Sequence, residues 1–449
     1  MSDSIPNVVL HGLDYPSREL TASIGGWRVG VLSESAGVWK FTYAPEWLAY
    51  ADRFALSPAL PLSDAPILDG GSLRPVQWYF DNLLPEEAQR QLMATDAGIR
   101  TADAFGLLSY YGSESAGSLT LLPPGTPAAP GRAAPLSDAE LSARIRALPQ
   151  HSLAAGAEKR MSLAGAQHKL AVIVREGQLL QPVGSEPSTH ILKPDHPDPD
   201  YPHSAVNEWF VMKLARKMRL LVPDVSRRYV PEPLYLIERF DRAPSSAGVQ
   251  RLHAIDACQL LNLDRQFKYQ QGSIEMMARI AALCRNKLQT RWRLYDWLIF
   301  NVLTGNNDAH LKNLSFMVGP EGVNLAPHYD MLSTACYESR VYEKDTWPSV
   351  STLAWPILGT EKFTDLSFDL LVQAGMKMGL TQKRARAQLV AMQAGILDEA
   401  RALLEATEAE NAQLREEPGI GVRLDGEERC LRAIIYTVIG EMVRRLAPA

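Results

Sequence analysis

Cysteine is scarce in this 449-residue chain: there are four, Cys258, Cys284, Cys336 and Cys430, and no two stand in a C-x-x-C pair. That spacing suggests neither a zinc site nor a disulfide framework, and a reducing compartment fits it best. Long apolar runs are missing as well, since no stretch approaches the roughly 18 residues that a membrane-spanning helix needs. The N-terminus, Met1-Ser-Asp-Ser-Ile-Pro6, lacks a basic segment followed by an apolar core, so a secretory signal is not expected. A cytoplasmic protein with no membrane association is the expectation. Nor is there an excess of basic charge: a net charge of -5 and a pI near 6.0 argue against broad, unaided nucleic-acid binding, leaving room only for a local basic face. No internal repeat of fixed period is present.

What is present is ordinary globular composition, 46% hydrophobic and 22% charged, in a chain longer than one core usually supports. Two or three packed units are expected. Residues 123–135, Pro-Pro-Gly-Thr-Pro-Ala-Ala-Pro-Gly-Arg-Ala-Ala-Pro, neither pack well nor hold a helix, and read as a linker. Before it, 27–32 and 38–43 look like strands, and 86–93 and 102–107 like helices. After it, 170–174, 179–181 and 190–193 are short β-rich runs, and Val206, Phe210, Leu214 and Met218 form one apolar helix stripe. Two more strands are expected at 228–230 and 234–238. Helices follow at 255–261, 273–284 and 292–303, and beyond 365 nearly everything is amphipathic helix, ending at 427–446. This order predicts an α+β, protein-kinase-like bilobal fold, with a β-rich N-lobe (138–240) and an all-helical C-lobe (241–449). A small α/β subdomain (1–122) precedes it, joined by a Pro/Ala/Gly-rich linker at 123–137.

The most informative segment is Gly305-Asn-Asn-Asp-Ala-His-Leu-Lys-Asn313, which sets Asp308 and Asn313 five positions apart behind an apolar helical run. Phosphoryl transfer needs a positioned Asp to orient or deprotonate the attacking hydroxyl, and an amide or carboxylate oxygen on magnesium. A strand at 314–318, a turn at 319–322 and a returning strand at 323–326 follow. Such a hairpin is expected to bring Asp330 beside Asn313 at its open end, as two oxygen ligands for a hard ion. Lys193, at the end of a strand, with Glu208 on the next helix, offers a cation for phosphates. The small-residue turn Ser162-Leu-Ala-Gly-Ala-Gln-His-Lys169 is a candidate phosphate cradle with one glycine. Glu238-Arg-Phe-Asp241 lies where kinases keep the connector that meets adenine, with Phe240 available to pack on the base. His310, inside the loop, suits a local role but not metal ligation, because no partner His or Cys is spaced for that.

Taken together, Ser162 to Lys169, His190-Ile-Leu-Lys-Pro194, Asn207-Glu208, Glu238-Arg-Phe-Asp-Arg242, the 305–313 segment and Tyr329-Asp330 resemble the HipA family of serine/threonine-protein kinase toxins. Tyr79-Phe-Asp-Asn-Leu-Leu-Pro85 and Ser115-Ala-Gly-Ser118 also look like that family's N-terminal subdomain. The resemblance implies Asp308 as catalytic base and Asn313 and Asp330 as Mg2+ ligands. It implies ATP contacts from Ala164, Gly165, Ala166, Gln167, His168, Lys169, Lys193, Glu238, Arg239, Phe240, His310, Lys312 and Asn313. It further implies autophosphorylation on Ser162, a helix-turn-helix antitoxin of the HipB type that bridges to operator DNA, and an aminoacyl-tRNA synthetase as target, with glutamyl-tRNA synthetase the model. Two other readings stay open from the residues: a small-molecule or lipid kinase, which shares the D-x-H-x-x-N form, and a largely non-catalytic corepressor.

Overall fold

The computed structural model describes residues 17–154, 164, 165, 167–246 and 248–448. The first part of the chain folds around a five-stranded antiparallel sheet in the order Ile67–Leu68, Val38–Tyr43, Trp27–Ser35, Arg18–Ile24, Thr120–Leu122. Leu20, Ala22, Val29, Leu32 and Phe41 are buried against the core, and alternation is regular in Val38–Tyr43, where Trp39, Phe41 and Tyr43 are buried and Val38, Lys40 and Thr42 are not. Helices Pro75–Asp81, Glu87–Ala97 and Ala104–Tyr111 belong to the same part of the chain, with Phe80, Met93 and Leu108 buried in the same core. Asp103 caps the last of these by accepting the Gly106 N–H.

A second sheet has six antiparallel strands in the order Val225–Tyr229, Pro233–Glu238, His190–Pro194, Leu170–Arg175, Gln178–Val183, Arg132–Pro135. The last of these is a departure from the sequence expectation. Residues 132–135 do not remain linker but pair with 180–183, because the edge of Gln178–Val183 offers backbone groups that alanine-rich chain can satisfy. The Ser204–Lys217 helix carries the expected stripe, with Val206, Phe210 and Leu214 buried, and it packs on Pro233–Glu238 and Val225–Tyr229.

The C-terminal lobe is helical in bulk, led by Lys287–Leu303, Phe368–Lys377 and the 33-residue Gln382–Leu414. It is not all-helical. Ala254–Asp256, Ser315–Gly319 and Gly322–Leu325 form a three-stranded sheet, and Arg242–Ser245 with Gly248–Arg251 and Thr352–Ile357 with Thr360–Lys362 form two small ones. The helix expected from 255 therefore begins only at Ala257, where Asp256 and Gln259 form a capping box. The C-terminal helical run contains a π-helical stretch, Ala433–Ile439, between Gly421–Arg432 and Gly440–Arg445. Among the described residues no helix is long and apolar enough to cross a membrane.

Candidate active site

The expected hairpin forms, and its register differs from the sequence reading in an instructive way. Phe316 pairs with Leu325 and Gly319 with Gly322, so the turn holds two residues, Pro320 and Glu321. Extended backward, this register sets Asn313 level with 328 and leaves Asp330 two residues beyond. The gap is closed by backbone conformation: Asp330 sits at φ 58°, in the left-handed region that turns the chain back toward the cleft. Both residues line one cavity of about 890 Å³, together with Asp308, Lys193, Lys169, Glu208, Gln167, Ala164, Gly165, Glu238 and Phe240.

Asp308 is fixed from several directions. The Tyr269 hydroxyl donates to its carboxylate, the Asp308 N–H bonds the Asn306 side chain at 3.0 Å, and its carbonyl accepts from Asn313 Nδ2 at 2.8 Å. That last bond uses the Asn313 amide nitrogen inside the loop and leaves its carbonyl oxygen as the atom available to a ligand. Tyr269 was not singled out from sequence, and no motif marks it. His310 packs edge-on against the Tyr269 ring, 5.0 Å between centroids, and its Nδ1 is buried with no hydrogen-bond partner among the described residues. Burial lowers the His310 pKa, so the ring is neutral near pH 7.

Lys193 reaches both carboxylates of its surroundings: Glu208 at 2.8 and 2.9 Å and Asp330 at 2.5 Å. Burial works against the ammonium charge, but Asp330 and Glu208 outweigh it and raise the Lys193 pKa. One cation cannot neutralise two buried carboxylates equally. Asp330 keeps its charge: burial would raise its pKa, but Lys193 and then Lys169 outweigh it and hold it at about 2. Glu208 is pushed up to about 7, by burial first and by Asp330 as well, against the pull of Lys193. Lys169 is partly buried beside them and bonds the Ala164 carbonyl at 2.8 Å; desolvation, then the like charge of Lys193, brings its amine down to about 8. Gly165 is at φ 107°, and a Cβ there would fall 2.5 Å from Lys169 Nζ, so the turn requires glycine.

Two sequence candidates that line this cavity have their polar groups engaged by other parts of the chain. Lys312 is tied inward to Asp256 (2.6 Å) and to the side chain (2.7 Å) and carbonyl (3.1 Å) of Asn82. Its bonds go to Asp256 and Asn82, whereas those of Lys193 include Asp330, the candidate Mg2+ ligand, so the geometry favours Lys193 over Lys312 as a phosphate contact. Arg239 is likewise locked, to Asp241 (2.9 and 2.7 Å), Glu114 (3.3 Å) and Ser188 (2.9 Å). The backbone N–H groups of Glu238 and Arg239 are donated to Asp224 and Thr189 carbonyls, and the Phe240 ring lies 5.5 Å from Tyr329. His168 faces a small adjoining pocket with Pro194, Asp195 and His196 rather than the main cavity. Ser162 and Ala166 lie outside the described residues.

Sequence reasoning also missed that the N-terminal part of the chain lines the cavity, through Asn82, Leu83, Glu86 and Glu87 at one end and Ala116 and Gly117 at the other. The signal was available in Tyr79 to Pro85 and Ser115 to Ser118, which were read as markers of a subdomain rather than as walls of a site. Among the described residues no group of three His, Cys, Asp or Glu side chains can hold a metal ion. One carboxylate and one amide oxygen suit magnesium, which uses few protein ligands and fills its octahedron with phosphate oxygens and water.

A β-rich lobe, a mostly helical lobe and, between them, a cleft with a fixed aspartate, an asparagine, a second aspartate and a lysine–glutamate pair define a kinase. The comparisons with known proteins give the family. Residues 161–405 match the HipA-like C-terminal domain and residues 20–122 the HipA N-terminal domain. The chain belongs to the HipA family. It is 36% identical over 313 residues to the Sinorhizobium fredii protein Y4mE, covering 66% of this chain and 72% of that protein. It is 30% identical over 339 residues to the serine/threonine-protein kinase toxin HipA of Shewanella oneidensis, covering 71% of this chain and 76% of that protein. The solved complex of Shewanella oneidensis HipA, HipB and operator DNA contains a chain with a TM-score of 0.74 and 25% identity, over 96% of this chain and 100% of that one.

Proposed function

We propose that this chain is the toxin half of a type II toxin–antitoxin pair. In this reading it is an ATP-dependent kinase that phosphorylates a serine or threonine of a translation component, an aminoacyl-tRNA synthetase of the glutamyl type being the first candidate. The observation that carries the proposal is the convergence of Asp308, Asn313, Asp330 and Lys193 on one cavity with Ala164 and Gly165 of the small-residue turn. In this reading Asp308 orients the acceptor hydroxyl and takes its proton; Tyr269 occupies one carboxylate oxygen and leaves the other for that task. Lys193 and Lys169 neutralise phosphate oxygens, and Glu208 keeps Lys193 in place. Asn313 and Asp330 present the oxygens that would hold Mg2+, whose contribution is to neutralise charge on the phosphates. Lys312 and Arg239 act here as scaffolding, not as nucleotide contacts.

Autophosphorylation on Ser162 belongs to the same proposal. A phosphate adds about −1.5 to −2 charges beside the site of the ATP phosphates, which favours displacement of the turn and loss of activity. An antitoxin of the HipB type, and operator DNA through it, are the proposed partners, in keeping with the assembly of the Shewanella oneidensis protein.

The test is incubation with ATP and Mg2+ in the presence of purified aminoacyl-tRNA synthetases, followed by mass spectrometry. Phosphate is expected on one synthetase and on Ser162, and Asp308→Asn is expected to reduce both by about a thousandfold or more. Faster phosphorylation of a metabolite or lipid than of any protein would replace the toxin reading with that of a small-molecule kinase.

A further inference from the structure

Glu86 lies in the N-terminal part of the chain, yet its atoms reach three separate pieces of the cleft. Its backbone N–H donates to the Gly165 carbonyl at 3.3 Å, next to a parallel bridge between Pro85 and Gly165. Its carboxylate binds Lys268 at 2.6 Å and lies 3.3 Å from Lys312. Each lysine leads on to the catalytic loop. Lys312 immediately precedes Asn313, and the Lys268 carbonyl accepts the Leu311 N–H at 3.1 Å, while the Lys268 ammonium sits over the ring of Tyr269, whose hydroxyl holds Asp308.

The cost of this arrangement argues that it does more than join two domains. Glu86 is 3% exposed and Lys268 and Lys312 are buried as well, and holding a carboxylate and two ammonium groups there carries a desolvation penalty that apolar residues of similar volume would avoid. What the charges supply is direction: both lysines are held at set positions beside the loop that carries Asp308 and Asn313. Glu86 itself remains ionised. Burial alone would raise its pKa, but Lys312 and Lys268 bring it down to about 2.

We propose that Glu86 is a positioning residue for phosphoryl transfer: through Lys312, Lys268 and Gly165 it registers the catalytic loop and the phosphate-binding turn against each other. The N-terminal domain thereby contributes a working part of the active site. This deepens the kinase reading given above and rests on it. Glu86 lines the cavity and in this reading acts through Lys312, Lys268 and Gly165, so its loss changes the alignment of reacting groups more than nucleotide binding, and misalignment of about 1 Å costs on the order of a hundredfold in rate.

The experiment compares the full-length protein with Glu86→Gln, Glu86→Asp and the charge-balanced double variant Glu86→Gln/Lys268→Met, at a temperature where each remains folded. Turnover, KM for ATP and the thermal midpoint are measured on the same samples, with an acceptor that the unaltered protein phosphorylates. Glu86→Gln is expected to lower kcat by about tenfold or more while KM for ATP changes by less than about threefold, and Glu86→Asp to recover part of the loss. The double variant is expected to regain thermal stability without regaining kcat, which separates alignment from folding. An unchanged or raised kcat in Glu86→Gln overturns the proposal, as does recovery of kcat in step with stability in the double variant. Failure of the unaltered protein to phosphorylate any protein acceptor would strike the proposed function instead; nucleotide turnover by the same variants would still decide the role of Glu86.

Discussion

Two charge clusters border the same cleft, and they are built on opposite terms. At the connector, Arg239, Arg242, Asp241 and Glu114 form a sealed lattice: Arg239 and Arg242 contact both carboxylates, and Gly117 N–H and the Gly117 carbonyl complete the set at 2.7 and 3.0 Å. Charges there are balanced by fixed partners. In the other cluster Lys193 is shared between two carboxylates, Lys169 holds a second positive charge nearby, and Asp330 occupies a left-handed backbone position. The lattice pairs every group with a fixed partner; in the other cluster Lys193 bonds Asp330, an oxygen ligand that a metal would also claim, so a bound ligand would redistribute its charges.

The difference appears in the carboxyl groups themselves. Burial would raise Asp241, but Arg239 and Arg242 hold it at about 2, whereas Glu208 is driven up to about 7 chiefly by burial. Their linkage to stability therefore has opposite sign. Asp241 has a depressed folded pKa, so its contribution is present above the ordinary carboxyl range and is lost as pH falls toward about 2. Glu208 has a raised folded pKa, so its contribution is present in acid and is lost as pH rises through about 7.

The largest effect expected from this contrast is in the sealed lattice. Asp241→Asn leaves two buried guanidinium groups short of a counter-charge and is expected to destabilise the protein by about 3–5 kcal/mol, measured by denaturant unfolding. A loss of activity without loss of stability there would dissolve the distinction between the two clusters. Next is Glu208→Gln, which removes the partner that aims Lys193 and is expected to lower kcat/KM for ATP about tenfold. Its stability at pH 8 is expected to stay level or rise, since the substitution neutralises a group already resisting ionisation; a large drop would show Glu208 to be scaffolding. Smaller still is the pH effect: thermal midpoints of Glu208→Gln relative to the unaltered protein are expected to improve between pH 5 and 8, those of Asp241→Asn to improve only as pH falls below about 4. The smallest is Gly165→Ala, which must adopt a positive φ against Lys169 and is expected to cost about 1 kcal/mol, seen mainly as weaker ATP affinity.

Much of this molecule was legible from local pattern. The Val206, Phe210, Leu214 stripe, the alternation in 38–43 and the Gly319 to Gly322 turn each depend on residues within a few positions of one another, and each forms as expected. Where local pattern failed, a distant partner was the cause. Residues 254–256 have the apolar character of a helix start, yet become a strand because Ser315–Gly319 provides an edge some 60 positions later. Lys312 looks like a phosphate contact beside Asn313, but Asp256 and Asn82 turn it inward. Tyr269 could not be chosen from sequence at all, since nothing near it signals a bond to Asp308.

Sequence alone determined the kinds of groups available to the chemistry and their order along the chain: an aspartate and an asparagine five positions apart, a strand-borne lysine and a small-residue turn, because those are covalent facts of spacing. Tertiary structure alone decided which charges remain free for a ligand and which are consumed by the protein. Lys193 and Lys312 both line the cleft and both bond carboxylates, and only the packing decides that Lys193 meets Glu208 and Asp330 while Lys312 meets Asp256 and Asn82.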